Sequence, residues 1–262
     1  MTLERISASA YSNTAPLIWS FLYGTLKQTA ELILDNAPAR SAELLINKRV
    51  NYALVPVIAS QYIPDVRLVP GVCVGAEKKV QSVCLITKGG DLKDARKIAL
   101  DRSSRTSQIL TKIIFREFFA REPEWIEAEP DINAMLEAAD AALLIGDPTL
   151  SLNHSQISKH DLVELWRSYT GYGFVFAMWM TFLGSSEIDF ALAREEGLAH
   201  IDEIAKNYSP QIGLSFDEMR NYLQNNICYT PSESMLDGLE LYLKLANKCC
   251  LTPNFVPLNF IS

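Results

Sequence analysis

The chain has 262 residues, of which 48% are hydrophobic and 21% charged, and its formal net charge is −7. This is a globular composition, so disorder is excluded, and the length suffices for two domains around a sizeable core. The acidic balance argues against a nucleic-acid partner, because phosphate backbones recruit basic surfaces, but it leaves a small anionic ligand open.

The opening, MTLERISASA, shows no basic region followed by a long apolar run, so a cytoplasmic location is expected. Arg5 to Ala10 reads as a strand running into Asn13-Thr14-Ala15-Pro16. A helix follows over Leu17 to Tyr23, with Asn13 or Thr14 as its cap and Pro16 in its first turn. Ala30 to Leu34 is a second strand, and Pro38 opens a helix through Asn47. Asn51 to Val55 and Val80 to Thr87 are further strands, the latter closed by Gly89-Gly90. Lys97 to Leu100 is a strand, Asp101 to Ser107 turns the corner, and a helix runs to about Ala120 with Leu110, Ile113, Ile114 and Phe118 at helical spacing. Trp125 to Glu127 is a short strand, and Asp131 caps a helix to Ala138. Ala141 to Ile145 is an apolar run of strand length, as expected for a strand covered on both faces.

Asp161 to Tyr169 reads as a helix and Gly173 to Leu183 as a long buried strand. Its apolar stretch, Phe174 to Met180, is far short of the roughly 20 residues of a membrane span, so no membrane partner is expected. The last third is helical: Ile188 to Tyr208, Ser215 to Asn226 and Pro231 to about Asn247. Alternating strands and helices predict an α/β fold with mainly parallel sheets. The strands near Ser82 and Val175 carry no flexible linker and are expected to cross between two lobes. Lobe 1 is then discontinuous, residues 1–87 and 175–262, and lobe 2 spans 88–174, with a ligand cleft between them.

Three corners carry candidate chemistry. Asp101 to Ser107 (DRSSRTS) lies where a strand meets a helix, and four hydroxyls beside free N–H groups suit an anion. Ordinary helix capping explains the same residues, and both readings stand. Ser82 is an unusual lone hydroxyl in an apolar strand, and Gly146-Asp147-Pro148 follows a strand at the end where α/β ligands gather. Trp166 and Trp179 read as core. Cys73, Cys84, Cys228, Cys249 and Cys250 form no C-x-x-C pair and read as reduced thiols. His154, His160 and His200 share no metal-ligand spacing, and no metal or cofactor is expected. No G-x-S-x-G, phosphate loop or dinucleotide fingerprint is present.

These corners also carry a resemblance. Tyr11 to Leu17 (YSNTAPL) resembles the Y-x-N-x-x-P-L opening of the chorismate dehydratases, enzymes of the futalosine route to menaquinone. Pro38 to Pro56, Gln81 to Leu85, Ala99 to Leu110, Asp140 to Leu150 and Asp161 to Trp179 match in order, so the likeness covers nearly the whole chain. It implies a two-lobe, type II periplasmic-binding-protein-like fold with a central cleft. It implies the loss of water from chorismate, a small dianion, to give 3-[(1-carboxyvinyl)oxy]benzoate. On this resemblance Asn13 and Ser82 are the catalytic candidates. Ser104, Arg105 and Thr106 look like carboxylate binders, and Asp147 in the I-G-D turn is grouped with them. Gly173 departs from the Pro that relatives commonly show there. The alternatives are a 1,4-dihydroxy-6-naphthoate synthase of the sister type, which would carry a histidine near the cleft, and a non-catalytic cytosolic solute-binding module.

Overall fold

The structure, a computed structural model, describes residues 3–35, 38–152 and 157–262. The strands are β1 (Glu4–Ser9), β2 (Ala30–Asp35), β3 (Tyr52–Pro56), β4 (Arg67–Ala76), β5 (Val83–Thr87), β6 (Lys97–Asp101), β7 (Glu124–Ala128), β8 (Ala141–Ile145), β9 (Ser158–Asp161) and β10 (Phe174–Thr181). The helices are α1 (Ala15–Leu22), α2 (Pro38–Ile46), α3 (Arg105–Ile113), α4 (Ile132–Ala138), α5 (Asp147–Leu150), α6 (Leu162–Thr170), α7 (Phe190–Ala199), α8 (Ile201–Ile212), α9 (Phe216–Asn221) and α10 (Glu233–Lys248). They build two five-stranded sheets, ordered β2-β1-β3-β10-β4 and β7-β6-β8-β5-β9.

Both sheets are mixed, which corrects the expectation of mainly parallel ones. β1 runs parallel to β2 and β3, and β6 to β7 and β8. β10 enters the first sheet antiparallel to β3 and β4, and β5 enters the second antiparallel to β8 and β9. Each antiparallel strand is the one that arrives from the other half of the chain. Val83–Thr87 hydrogen-bonds in the second sheet, so the chain passes from the first sheet to the second over residues 77–82, the first crossing, and returns over 171–173, the second.

Local chemistry sets the elements. Thr14 precedes α1, but its hydroxyl donates to the Ser9 and Tyr11 carbonyls rather than capping the helix, and Pro16 supplies the fixed first turn. Leu17, Ile18 and Phe21 are buried beneath it and contribute roughly 1.5–3 kcal/mol each. α1 packs on α7 so closely that a Cβ on Gly197 would stand 1.8 Å from the Pro16 carbonyl oxygen. Asp131 caps α4 as expected and Asp161, read as the first residue of its helix, caps α6, each accepting two backbone N–H bonds in its helix's first turn. Trp166 and Trp179 are fully buried.

Other expectations shift. The helix read over Ile188 to Tyr208 breaks at His200, whose ring stacks on Trp19 with centroids 3.7 Å apart. The helix ending near Ala120 and the one ending at Asn226 both finish in a wide π-helical turn, Ile114–Phe118 and Tyr222–Asn226. β4 is interrupted by exposed Pro70 and Gly71, which an edge strand tolerates at a bulge. β9 is short and polar, also at an edge, and carries no apolar pattern.

Candidate active site

A narrow cleft of about 70 Å³ opens between the two sheets, below the roughly 300–1,000 Å³ range of small-molecule sites. Four groups of residues wall it. Ser9, Tyr11, Asn13 and Thr14 come from the end of β1 and the turn after it. Leu54, Pro56, Val74, Phe176 and Ala177 form an apolar floor from β3, β4 and β10. Val80 and Val83 flank the first crossing. Ser104, Thr106, Ser107, Ile145 and Gly146 come from the start of α3 and the end of β8.

The start of α3 is where an anion would rest. Ser104 is its cap: its oxygen accepts from the Ser107 N–H at 3.3 Å, and its hydroxyl donates to Ser107 Oγ at 2.8 Å. The N–H groups of Arg105 and Thr106 have no acceptor among the described residues. Thr106 lines the cleft at the positive end of the helix, and its hydroxyl oxygen accepts from the Ile58 N–H at 3.5 Å. Capping and anion binding are compatible here, because the cap satisfies Ser107 and leaves the first two donors open. Asp101 shapes the turn. It accepts from the Ser103 N–H at 2.9 Å, the Ser103 hydroxyl at 2.6 Å and the Ile145 N–H at 3.3 Å. Burial pushes its carboxyl above the usual range against the pull of those bonds.

Asn13 lines the cleft, half-buried, opposite that helix start. Its turn is held from the other half of the chain: the Asp147 carboxylate accepts from the Ser12 N–H at 3.1 Å and from the Ser12 hydroxyl. Asp147 is thus beside the cleft wall rather than on it, and burial raises its pKa. Next to it, Gly146 has φ +74°, and a Cβ there would stand 3.0 Å from the Tyr11 ring. Only glycine lets Tyr11 close over this turn.

Ser82 lies in the crossing just before β5, not within the strand; it is fully buried behind Val80 and Val83 and is not itself among the residues lining the cleft. Its N–H donates to the Val80 carbonyl at 2.8 Å, a three-residue turn that puts Gln81 at φ 63°. Its carbonyl accepts from the Gly146 N–H at 2.7 Å. Its hydroxyl oxygen accepts from Tyr222 at 2.8 Å. Asp161 secures the strained turn: one carboxylate oxygen accepts from Val80 and Gln81, the other from Val163 and Glu164.

The remaining expected residues lie elsewhere. The Arg105 side chain is exposed and lines a separate cavity with Ser103, Ile58 and Tyr62. His160 is on β9 and His200 is on Trp19, so neither lines the cleft; His154 is outside the described residues. Among the described lining residues there is no carboxylate, imidazole, amine, guanidinium or thiol. Gly173, at the second crossing, has the place of a Cβ filled by Met235 Cγ at 2.7 Å and Glu77 Oε2 at 2.9 Å, and its N–H donates to Ser234 Oγ at 3.3 Å. A proline would clash there and lose that bond, so this chain's glycine is matched to Met235. Sequence reasoning did not reach Tyr222, which sits in a polar helical stretch without a motif, nor Phe176 on the floor.

Residues 4–248 match a family described as menaquinone biosynthesis. Over 239 residues the chain is 28% identical to a protein of Thermus thermophilus named chorismate dehydratase, covering 82% of this chain and 85% of that one. Among solved structures, protein AF1704 from Archaeoglobus fulgidus is similar with a TM-score of 0.70 and 16% identity, over 94% of this chain and 97% of that one. The periplasmic aliphatic sulphonate binding protein SsuA from Escherichia coli follows at 0.65 and 16% identity, over 97% and 89%. The CA3427 gene product of Candida albicans, described as having the generic periplasmic binding protein fold, aligns at 0.67 and 12% identity, over 100% and 98%. These likenesses give the fold, two α/β halves of the periplasmic-binding-protein type. The chain belongs to the menaquinone biosynthesis family.

Proposed function

We propose that this protein is a chorismate dehydratase, a hydro-lyase that converts chorismate to 3-[(1-carboxyvinyl)oxy]benzoate and water in the cytoplasm. The observation that carries the reading is the composition of the cleft. It offers amide hydrogens, small hydroxyls, Asn13 and the Tyr11 phenol around an apolar floor, and no carboxylate, imidazole, amine, guanidinium or thiol among the described lining residues. Such a site suits a substrate that brings its own charges and its own base.

Chorismate is a dianion. One carboxylate rests on the free N–H groups of Arg105 and Thr106 with the Ser104 and Thr106 side chains around it, and the apolar floor takes the ring. The reaction removes the hydrogen on ring C3 and the hydroxyl on C4, and the ring becomes aromatic. The electron pair of the C3–H bond enters the ring, the C4–O bond breaks, and proton and hydroxide leave as water. The second substrate carboxylate, on the enolpyruvyl group, takes the C3 proton. Asn13 and Ser82 hold the substrate and the departing hydroxyl. The protein then contributes placement and fixed dipoles aimed at the developing charge.

We also assign residues 3–76 with 174–262 to one lobe and 83–170 to the other, closing over the substrate. The bonds from Asp147 to Ser12 and from the Tyr242 hydroxyl to the Thr106 carbonyl, 3.0 Å, support this as the closed form. The sister-enzyme reading is disfavoured, since His160 and His200 are away from the cleft. The test is direct. Purified protein mixed with chorismate should abolish the diene absorbance and release an aromatic acid. Stabilisation by chorismate without turnover would instead indicate a solute-binding module.

A further inference from the structure

One buried hydroxyl beneath the cleft has no part in the scheme above. Tyr222 is 1% exposed and opens the wide turn Tyr222–Asn226. Its hydroxyl donates to Ser82 Oγ at 2.8 Å. The phenol oxygen therefore ties the helical turn at Tyr222 to the crossing before β5, where one of the side chains on which the proposed chemistry depends is held.

The hydrogen-bond count gives this link a direction. A serine hydroxyl has one proton to give. Tyr222 spends its own proton on Ser82, so the Ser82 proton is left for another acceptor. Among the described residues none takes it. With the Ser82 backbone pinned on both sides, by Val80 and Gly146, only the hydroxyl rotor is free. The Tyr222 bond removes that freedom. Burial holds the phenol neutral, well above its ordinary range, so it keeps the proton it donates.

We infer that Tyr222 is a positioning residue: it orients the Ser82 hydroxyl as a donor toward the cleft, without touching substrate itself. This rests on the dehydratase reading. Tyr222→Phe removes one oxygen and keeps the ring. The expected result is a fall in kcat of about tenfold with KM changed less than about threefold, because the lost order matters at the reacting atoms rather than in capture. The discriminating measurement is the double variant. In a Ser82→Ala background, Tyr222→Phe should change kcat by less than about twofold, since its target is gone. A purely structural tyrosine would act equally in both backgrounds and would lower the melting temperature. Equal losses in the two backgrounds, or a Tyr222→Phe enzyme within twofold of the parent, overturn the inference while leaving the dehydratase reading intact. A parent enzyme inert toward chorismate overturns both. Should Tyr222→Phe not fold, 3-fluorotyrosine placed at 222 keeps the shape and makes the phenol a stronger donor. A changed kcat supports the assignment, and an unchanged one overturns it.

Discussion

Asp161→Asn is the most informative perturbation of the fold beneath the site. The carboxylate accepts four backbone N–H groups, two from the strained turn at Val80 and Gln81 and two from the first turn of α6. Asparagine keeps one acceptor oxygen, hence two of those bonds, and sets an NH₂ group against the other pair. Each lost bond to a charged acceptor costs about 1.5–3 kcal/mol, so the gross loss is about 3–6 kcal/mol. Some is recovered because a neutral group replaces a buried charge, whose cost is visible in the raised pKa of Asp161. A net destabilisation of about 2–4 kcal/mol remains. For a chain of this size each kcal/mol shifts the melting point by roughly 2–4 °C, so a fall of about 5–15 °C is expected in a calorimetric scan. Turnover should fall as well at temperatures where the variant is folded, because residues 80–82 carry Ser82. A melting point within about 2 °C of the parent would refute the reasoning: the four bonds would then not hold the crossing.

Asn13→Ala should leave the melting point nearly unchanged and lower kcat on chorismate about a hundredfold or more, as loss of a side chain aimed at the transition state does; steady-state kinetics at saturating substrate measure it. Gly197→Ala drives a methyl into the Pro16 carbonyl and should cost about 3 kcal/mol by separating α1 from α7, read by urea denaturation. The Glu122 carboxyl is held below its ordinary value by its bond to Arg116. A depressed carboxyl stabilises the fold above its unfolded pKa and loses that contribution as pH falls through the folded value. The parent's advantage over Glu122→Gln should therefore be present at pH 7 and gone near pH 3, and it should be small, a few tenths of a kcal/mol, because the pair is half-exposed.

Much of this architecture was legible where local and tertiary preferences agree. Asp131 announces α4 through its cap, and the AALLI run announces β8 because a strand covered on both faces has no need of polar residues. Ser104 and Thr106 stand out in the sequence because helix starts concentrate both hydroxyls and free N–H groups, whereas Asn13 is marked by the family resemblance; all three line the cleft. The failures have a common cause in tertiary placement. β4 contains Pro70 and Gly71, which break strands except at a bulged edge, and edge position is not a local property. Val83–Thr87 pairs in the second sheet, and which sheet a strand joins is not encoded in its own hydrophobicity. The family resemblance groups Arg105 with Ser104 and Thr106; successive residues on a helix point about 100° apart, and the Arg105 side chain lines the neighbouring cavity.

The wide turn at Tyr222–Asn226 bears on how relatives of this chain should be compared. Such a turn houses an inserted amino acid that an ordinary helical winding would have no room for. A homologue lacking that insertion would keep the surrounding letters yet rotate them around the axis, carrying the phenol away from its post. Gap placement in this short stretch, more than letter identity, then separates sequences that share the buried oxygen from those that do not.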